Sequence, residues 1–314
     1  MKIVVIGPGA LGCLFSSCLA ANGGQVTLVD HNARRAAALA NRLTLVRAAG
    51  ESVVTLPITA DHDCLRVADL VLISVKSAEV AEVLTVVRRK IPADCLSVGL
   101  QNGIGHLHLF QDSRAGLVPG VTAQGATLIE PGVVRHGGNG ATALGFLQPQ
   151  VVPARLHDKL GRVAHLLSAA GIATEVVDNI ETRLWQKLLV NAGINGLTVL
   201  YDCANGQLLE IDEARARLVA LVEEGAHIAR CKGIDVGIDP VGHVLDVCRA
   251  TADNISSMLQ DARRGRTTEI MAINGALQTE AAKLSMPAPQ NALLVQQVLK
   301  KSRCMAHPIS QQSS

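Results

Sequence analysis

Aromatic side chains are nearly missing from this chain: 314 residues include one Trp, one Tyr and three Phe. Its cores must therefore be built from Ala, Val, Leu and Ile. No charge of one sign dominates, the formal net charge being +2. That leaves no basic face for nucleic acid and no polybasic patch for a membrane surface. No CxxC pair or other metal-ligand spacing occurs among Cys13, Cys18, Cys64, Cys95, Cys203, Cys231, Cys248 and Cys304. Scattered in this way, they read as small buried hydrophobes in a reducing compartment. No apolar run reaches the ~18 residues of a membrane span. No charged leader with a cleavage site precedes the first strand, and a cytoplasmic protein is expected. Internal repeats and low-complexity segments are also lacking.

What is present points to two domains. The length exceeds the roughly 250–300 residues at which single cores tend to divide, and 48% hydrophobic with 18% charged residues describes an ordinary globular composition. KIVVIG, residues 2–7, is rich in β-branched side chains and suits a strand buried on both faces. It leads into Gly7-Pro8-Gly9-Ala10-Leu11-Gly12, a G-x-G-x-x-G opening a helix over residues 10–22, with a second strand at residues 25–29. Each glycine has a task. Gly7 makes the tight turn, Gly9 lets the backbone approach a pyrophosphate, and Gly12 lets helix and strand pack closely. Phosphates then rest on the helix N-terminus. A glycine motif alone is weak evidence, but strand, glycines and helix in this order form the context that confirms dinucleotide binding. Asp30 closes the second strand, where an acid accepts the ribose hydroxyls of NAD and repels a 2′-phosphate. His31, Arg34 and Arg35 follow; a guanidinium there can instead reach that phosphate, although a solvated helix face is the simpler reading of the two arginines.

The alternation of strand and helix continues. LVLISV, residues 70–75, is a further buried strand with Lys76 at its carboxyl end. Residues 95–100 form the next and lead into Gln101-Asn102-Gly103. Ligands of doubly wound sheets bind outside the carboxyl ends of the strands, so Lys76 and Asn102 are candidates to touch cofactor or substrate; a surface lysine and a turn-forming Asn-Gly are the plain alternatives. His106 and His108 have no third ligand near them, and no metal is expected. From residue 116 to 177 short glycine-rich β pieces predict antiparallel additions to the sheet, with a helix at Ala154–Ala169 and a last strand near residues 173–177. After Asp178 helical periodicity takes over. The sequence predicts an α/β, Rossmann-type dinucleotide-binding domain over residues 1–178 and an all-helical substrate-binding domain over 179–314. One helix carries residues 185–195, further helices lie near residues 211–232, 240–247, 256–264, 267–284 and 290–300, and the tail after Lys301 reads as frayed.

One helix stands apart. In WQKLLVNAGIN, Lys187, Asn191 and Asn195 are spaced i, i+4 and i+8, a polar stripe on an otherwise apolar helix. Buried polar groups without partners cost on the order of 2–7 kcal/mol, so either another helix or a ligand must satisfy the stripe. A second polar group, SSMLQDARRGRTTEI, carries Ser257 and Glu269. Asp253, Asn254 and Thr267 can be helix caps, whereas Glu269, beside Ile270, Met271 and Ile273, wants a cationic partner, and Lys187 is the obvious one.

GPGALG, LWQKLLVNAGINGLT, CANGQLL and ATADNISSMLQDARRGRTTEIMAINGAL together resemble the ketopantoate reductase (2-dehydropantoate 2-reductase) family over essentially the whole chain. The resemblance implies a Rossmann domain followed by a helical domain of the 6-phosphogluconate dehydrogenase type. It implies reduction of 2-dehydropantoate to (R)-pantoate, usually with NADPH, on the route to pantothenate. By matching position, it implies Lys187 as proton donor, with Glu269 near the lysine and the nicotinamide end of the cofactor. Asn191, Asn195, Asn205 and Ser257 match substrate-binding residues, and Lys76 and Asn102 match residues contacting cofactor and substrate. Two positions depart from the family pattern. Asp30-His31 stands where relatives usually carry an arginine after the second strand, which makes NADH possible, and Met271 stands where an aspartate is common. The alternative within the family is an NADH-dependent D-2-hydroxyacid dehydrogenase acting on another branched or aryl 2-oxo acid. The partner expected is a small 2-oxo acid, with a homodimer compatible with the apolar second domain.

Overall fold

Strand β1, Lys2–Ile6, shows how the first half of the chain is organised. Ile3 and Val5 enter one hydrophobic cluster while Val4 and Ile6 enter another. This is the two-sided burial that a continuous β-branched run produces in a parallel sheet. The computed structural model describes residues 1–306. The chain divides into two compact units: Met1–Gln101 with His106–Ile180, and Asn102–Gly105 with the stretch from Glu181 onward.

In the first unit, β1 is followed by α1 (Ala10–Ala21), β2 (Gln25–Val29), α2 (Ala33–Ala38), β3 (Arg42–Arg47), β4 (Gly50–Thr55) and β5 (Ile58–Thr59). Then come β6 (Leu70–Ile73), α3 (Val80–Lys90), β7 (Leu96–Gly99), β8 (Leu117–Glu130), β9 (Val133–Leu144), α4 (Ala154–Ala169) and β10 (Thr174–Val176). The strands lie in the order β4-β3-β9-β8-β7-β6-β1-β2-β5, with β10 beside β9. From β8 through β7, β6, β1 and β2 to β5 all neighbours are parallel. The chain leaves β1 first towards β2 and later towards β6, so the topological switch point of this α/β sheet lies at β1. Side chains of α1 (Leu14, Phe15, Cys18, Leu19) and α4 (Leu156, Leu160, Val163, Leu167) fill the cluster on one face. Val80, Leu84 and Val87 of α3 fill the other.

The glycine-rich segment differs from the short antiparallel pieces that the sequence predicts. β8 and β9 are long and antiparallel to each other, with three register shifts. At their outer edges, however, β8 pairs parallel with β7, and β9 pairs parallel with β3 and β10. Hairpin β3–β4 joins this sheet through β9.

The second unit carries α5 (Ile180–Tyr201), α6 (Asp212–Cys231), α7 (Pro240–Ala250), α8 (Ser257–Arg263), α9 (Ile270–Lys283) and α10 (Pro289–Ala306). The tail expected to fray after Lys301 is helical to Ala306; residues 307–314 lie outside the described residues. Large aromatics being scarce, these helices approach closely at small residues. A Cβ on Gly193 of α5 would come within 2.8 Å of Val222, and one on Gly196 within 2.8 Å of Leu294. Trp185 is the one large exception, 1% exposed on α5. Asn274, fully buried on α9, donates to the Ala192 carbonyl of α5 at 3.0 Å and to Asn291 Oδ1 of α10 at 2.8 Å. The Glu224 carboxylate accepts from the backbone N–H groups of Gln290 and Asn291, both at 2.9 Å, which satisfies the open donors at the start of α10.

Gly12 is the tightest point of the first turn, where a Cβ would overlap the Gly7 carbonyl oxygen, a backbone atom that cannot move aside. Replacement Gly12→Ala is expected to destabilise the protein by about 1–3 kcal/mol. A urea midpoint unchanged from the wild type would show that the turn relaxes freely.

Candidate active site

Lys187 lies on α5, and its ammonium reaches beyond its own helix. It donates to Asn102 Oδ1 at 2.9 Å. Asn102 Nδ2 in turn donates to Glu269 Oε2 at 3.1 Å. The amide is oriented by charge, its oxygen towards the cation and its nitrogen towards the anion. The sequence reading paired Lys187 with Glu269 directly; the structure adds Asn102 as a bridge linking the two.

The bridge is held by the backbone beside it. Gly103 has φ +79°, and a Cβ there would overlap the Ala272 carbonyl in the first turn of α9. Ile104 N–H donates to that same carbonyl at 3.3 Å. Asn102 thus reaches the start of α9, where Glu269 is the N-cap residue. Only glycine fits this approach, and the Asn-Gly pair is the sequence signal for it.

Burial pushes the Lys187 ammonium down to about 8, against the charge of Glu269, which raises it. A lysine in this range gives up its proton near neutral pH and remains mostly charged below pH 8. The group is therefore suited to donating a proton to an oxygen that gains negative charge.

Asn191 and Asn195 stand on the next two turns of α5, in line with Lys187, and Asn195 is 8% exposed. Asn205 sits in a separate turn. Its Nδ2 donates to Thr251 Oγ1 at 2.9 Å and its backbone N–H to the Asn254 carbonyl at 3.0 Å, while its buried Oδ1 has no hydrogen-bond partner. Ser257 opens α8 and is exposed. Its neighbour Ser256 is the buried one, capping α8 through Leu259 N–H and lying 2.6 Å from Thr198 Oγ1. Thr198 and Ser256 were not singled out in the sequence; the Thr198 position, three residues after Asn195 on the same helix, was the available signal.

The first unit supplies a dinucleotide cradle. Gly7 has φ +103°, and Ser74 Oγ can donate to the carbonyl of Ile6 or Gly7, each 3.0 Å away. Helix α1 begins at Gly9 with no side-chain cap and no acid in its first turn, leaving its N–H groups for an anion. A Cβ on Gly9 would meet nothing nearer than Ser74 O, at 4.0 Å. The turn Gly7, Pro8, Gly9, Ala10, Leu11 and Gly12 therefore has room for a pyrophosphate beside Gly9 while Gly12 is closed, and these residues fit the group. Lys76, exposed after β6, donates its backbone N–H to Glu79 Oε2 at 3.3 Å. Asp30, expected to accept ribose hydroxyls, is instead fully buried and bonded to Arg35, which is therefore more than a solvated arginine. Among the described residues no group of three or more His, Cys, Asp or Glu is placed to hold a metal.

Comparison with known proteins adds two family models. One described as "Ketopantoate reductase PanE/ApbA" matches residues 3–149, and one described as "Ketopantoate reductase PanE/ApbA C terminal" matches residues 179–302. The chain is 33% identical over 293 residues to the 2-dehydropantoate 2-reductase of Halobacterium salinarum, covering 92% of this chain and 95% of that protein. Among solved structures, a PanE/ApbA family ketopantoate reductase from Ralstonia eutropha superposes with a TM-score of 0.86 at 26% identity, over 98% of this chain and 100% of that one. D-mandelate dehydrogenase with NADH and anilino(oxo)acetate superposes with a TM-score of 0.87 at 27% identity, over 97% and 99%.

The Lys187–Asn102–Glu269 chain predicts a signed pH effect. Glu269→Gln keeps an acceptor for Asn102 but removes the charge that raises the lysine, so Lys187 should titrate lower, by roughly 1–3 pH units. Side-chain NMR of Lys187 measures this; an unmoved or raised midpoint would contradict the coupling.

Proposed function

The chain belongs to the ketopantoate reductase family, and from that premise we propose that it reduces the C2 ketone of 2-dehydropantoate to (R)-pantoate, the reductive step towards pantothenate. The observation that carries this reading is the lysine with its pKa brought down to about 8, joined through one amide to a carboxylate. A bound reduced nicotinamide supplies the hydride that adds to C2.

The protein's part is alignment and a proton. Lys187 donates a hydrogen bond to the ketone oxygen, and its ammonium stabilises the negative charge developing there. As C2 becomes tetrahedral, the lysine proton passes to that oxygen, which completes the alcohol, and Lys187 takes a new proton from solvent. General-acid help of this kind is worth about 10²–10⁴-fold. Glu269 keeps the lysine charged and accepts a hydrogen bond from the product hydroxyl, while Asn102 holds the pair in register. Asn191, Asn195, Asn205 and Ser257 bind the remaining oxygens of the substrate with neutral dipoles, a choice that leaves Lys187 the sole strong charge on the reacting carbonyl. Gly7 to Gly12 hold the pyrophosphate. NADPH is the cofactor of this reading, and a cytoplasmic setting fits eight cysteines that are all free thiols.

A second reading has one observation in its favour, the likeness to a D-mandelate dehydrogenase solved with NADH. In it the enzyme is an NADH-dependent D-2-hydroxyacid dehydrogenase for another branched or aryl 2-oxo acid. Steady-state kinetics on 2-dehydropantoate and phenylglyoxylate, each with NADPH and NADH, separate the two through kcat/KM.

Lys187→Ala should lower kcat by at least about tenfold and leave dinucleotide affinity nearly intact. Near-normal turnover would remove the lysine from the mechanism.

A further inference from the structure

At the amino end of the parallel sheet a cavity of about 370 Å³ is lined by Asp69, Asp94, Arg155, Leu156, Lys159 and Arg162. Its floor is the start of three strands. Asp69, just before β6, accepts from Lys2 N–H at 2.7 Å and donates its own N–H to the Lys2 carbonyl at 2.9 Å. The Asp69 carbonyl accepts from Leu96 N–H of β7 at 3.1 Å. These bonds tie the beginnings of β1, β6 and β7 together, so the floor is set before any ligand arrives. The first two turns of α4 form a wall. Met1, just ahead of β1, borders the cavity, and at about 3.3 Å per residue Gly7 lies at the other end of that strand, roughly 20 Å away.

Lys159 stands in the wall with a side chain only 8% exposed. Its Nζ donates to the Asp94 carbonyl at 2.7 Å, but the Asp94 carboxylate is 3.5 Å away and that of Asp69 4.0 Å. Both carboxylates lean towards solvent, 66% and 44% exposed. A buried ammonium has three donors to satisfy, and here one of them has a short partner. Arg155 lies four residues before Lys159 and Arg162 three after, on the same face of α4. Both arginines are exposed, and neither is bonded or ion-paired to another described residue, Asp158 in the same turns included. Cations at these spacings repel one another. Arg155 also sits in the first turn of α4, where the helix dipole favours an anion and where neither a side-chain cap nor an acid is found. The stripe works against the helix unless an anion lies over it.

We propose that this cavity is a second ligand site, for a small oxyanion that carries hydroxyl groups, a phosphate monoester or hydroxy acid of few carbons. Its charged end lies among Lys159, Arg155 and Arg162, whose planar guanidinium forks match the oxygens of a phosphate or carboxylate. Its hydroxyls donate to Asp69 and Asp94, which as carboxylates only accept, and Leu156 covers its carbon skeleton. The volume falls near the lower end of small-molecule pockets, roughly 300–1,000 Å³, and suits a ligand of that size. The site stands apart from the reductive chemistry and does not rest on it.

Titration calorimetry on the full chain tests this, with glycerol 3-phosphate, malate, inorganic phosphate and glycerol as probes. Glycerol 3-phosphate or malate should bind with a Kd of about 1 mM or tighter, and the preference between them tells phosphate from carboxylate. Inorganic phosphate should bind about fivefold weaker than the favoured anion, having no carbon-borne hydroxyls for the two acids, and glycerol should not bind. Because replacing the buried Lys159 risks the fold, the exposed pair is the variant of choice. Arg155→Gln/Arg162→Gln should weaken the favoured anion at least about tenfold. Without ligand, its urea midpoint should match or exceed that of the wild type, since like charges have been removed from one helix face. Binding left intact in the double variant would place the anion elsewhere, the Gly7–Gly12 turn included, and overturn the proposal. Failure of both organic anions to bind the wild type would overturn it as well. So would inorganic phosphate binding as tightly as either, the mark of an unselective basic surface, or a lower midpoint for the variant, which would give the arginines to the fold.

Discussion

A primary ammonium rising from an apolar helix is the constraint on which the helical unit depends. Lys187 has Leu184, Leu188 and Leu189 for neighbours on α5, all buried, so its charge is tolerated only where hydrogen bonds and an opposite charge reach it. Asn102 and Glu269 meet that need, and each requires support of its own. Asn102 is delivered by a segment that crosses the Ala272 carbonyl at a glycine, and Glu269 is fixed because it begins α9. Burial brings the group down to about 8 while the charge of Glu269 raises it, and there it is charged and still willing to lose its proton.

The scarcity of aromatic residues shapes the rest of the helical unit. With few large side chains to fill space between helices, α5 meets its neighbours through glycine and alanine, and backbone carbonyls come within reach of side chains from other helices. Asn274 exploits this by bonding the Ala192 carbonyl and Asn291 together. Such close, polar-stitched packing loses less side-chain entropy on folding than a core of long residues would, and it fixes the rotation of α5 about its axis. That rotation decides where Lys187, Asn191 and Asn195 point.

Local patterns carried much of this into the sequence, and long-range pairings did not. β1, the glycine turn and α1 form a contiguous unit whose spacing reports its own geometry, and the alternation of strands and helices led to the α/β class that the structure has. Hairpin β3–β4 escaped because its six-residue strands are partly exposed and lack a continuous apolar run, and because it is secured by β9, about 90 residues later. The polar stripe of α5 could be seen in residue spacing, but Asn102 as its partner could not, since 85 residues separate it from Lys187. The same limit applied at Asp30. Residue types alone show an acid and an arginine five positions apart; only side-chain geometry shows that one has neutralised the other. In the SSM stretch the pair of serines was legible as polar, but which of the two turns inward depends on the start of α8, a matter of one residue.

Trp185 lies two residues before Lys187 and is sealed from solvent. It is also the sole indole in the chain. Intrinsic emission excited near 295 nm therefore reports from a single point on α5, two residues along the chain from Lys187, with no second indole to dilute it. The composition that left the protein so poor in aromatic rings has, as a by-product, given it a built-in optical probe of the α5 segment that carries Lys187.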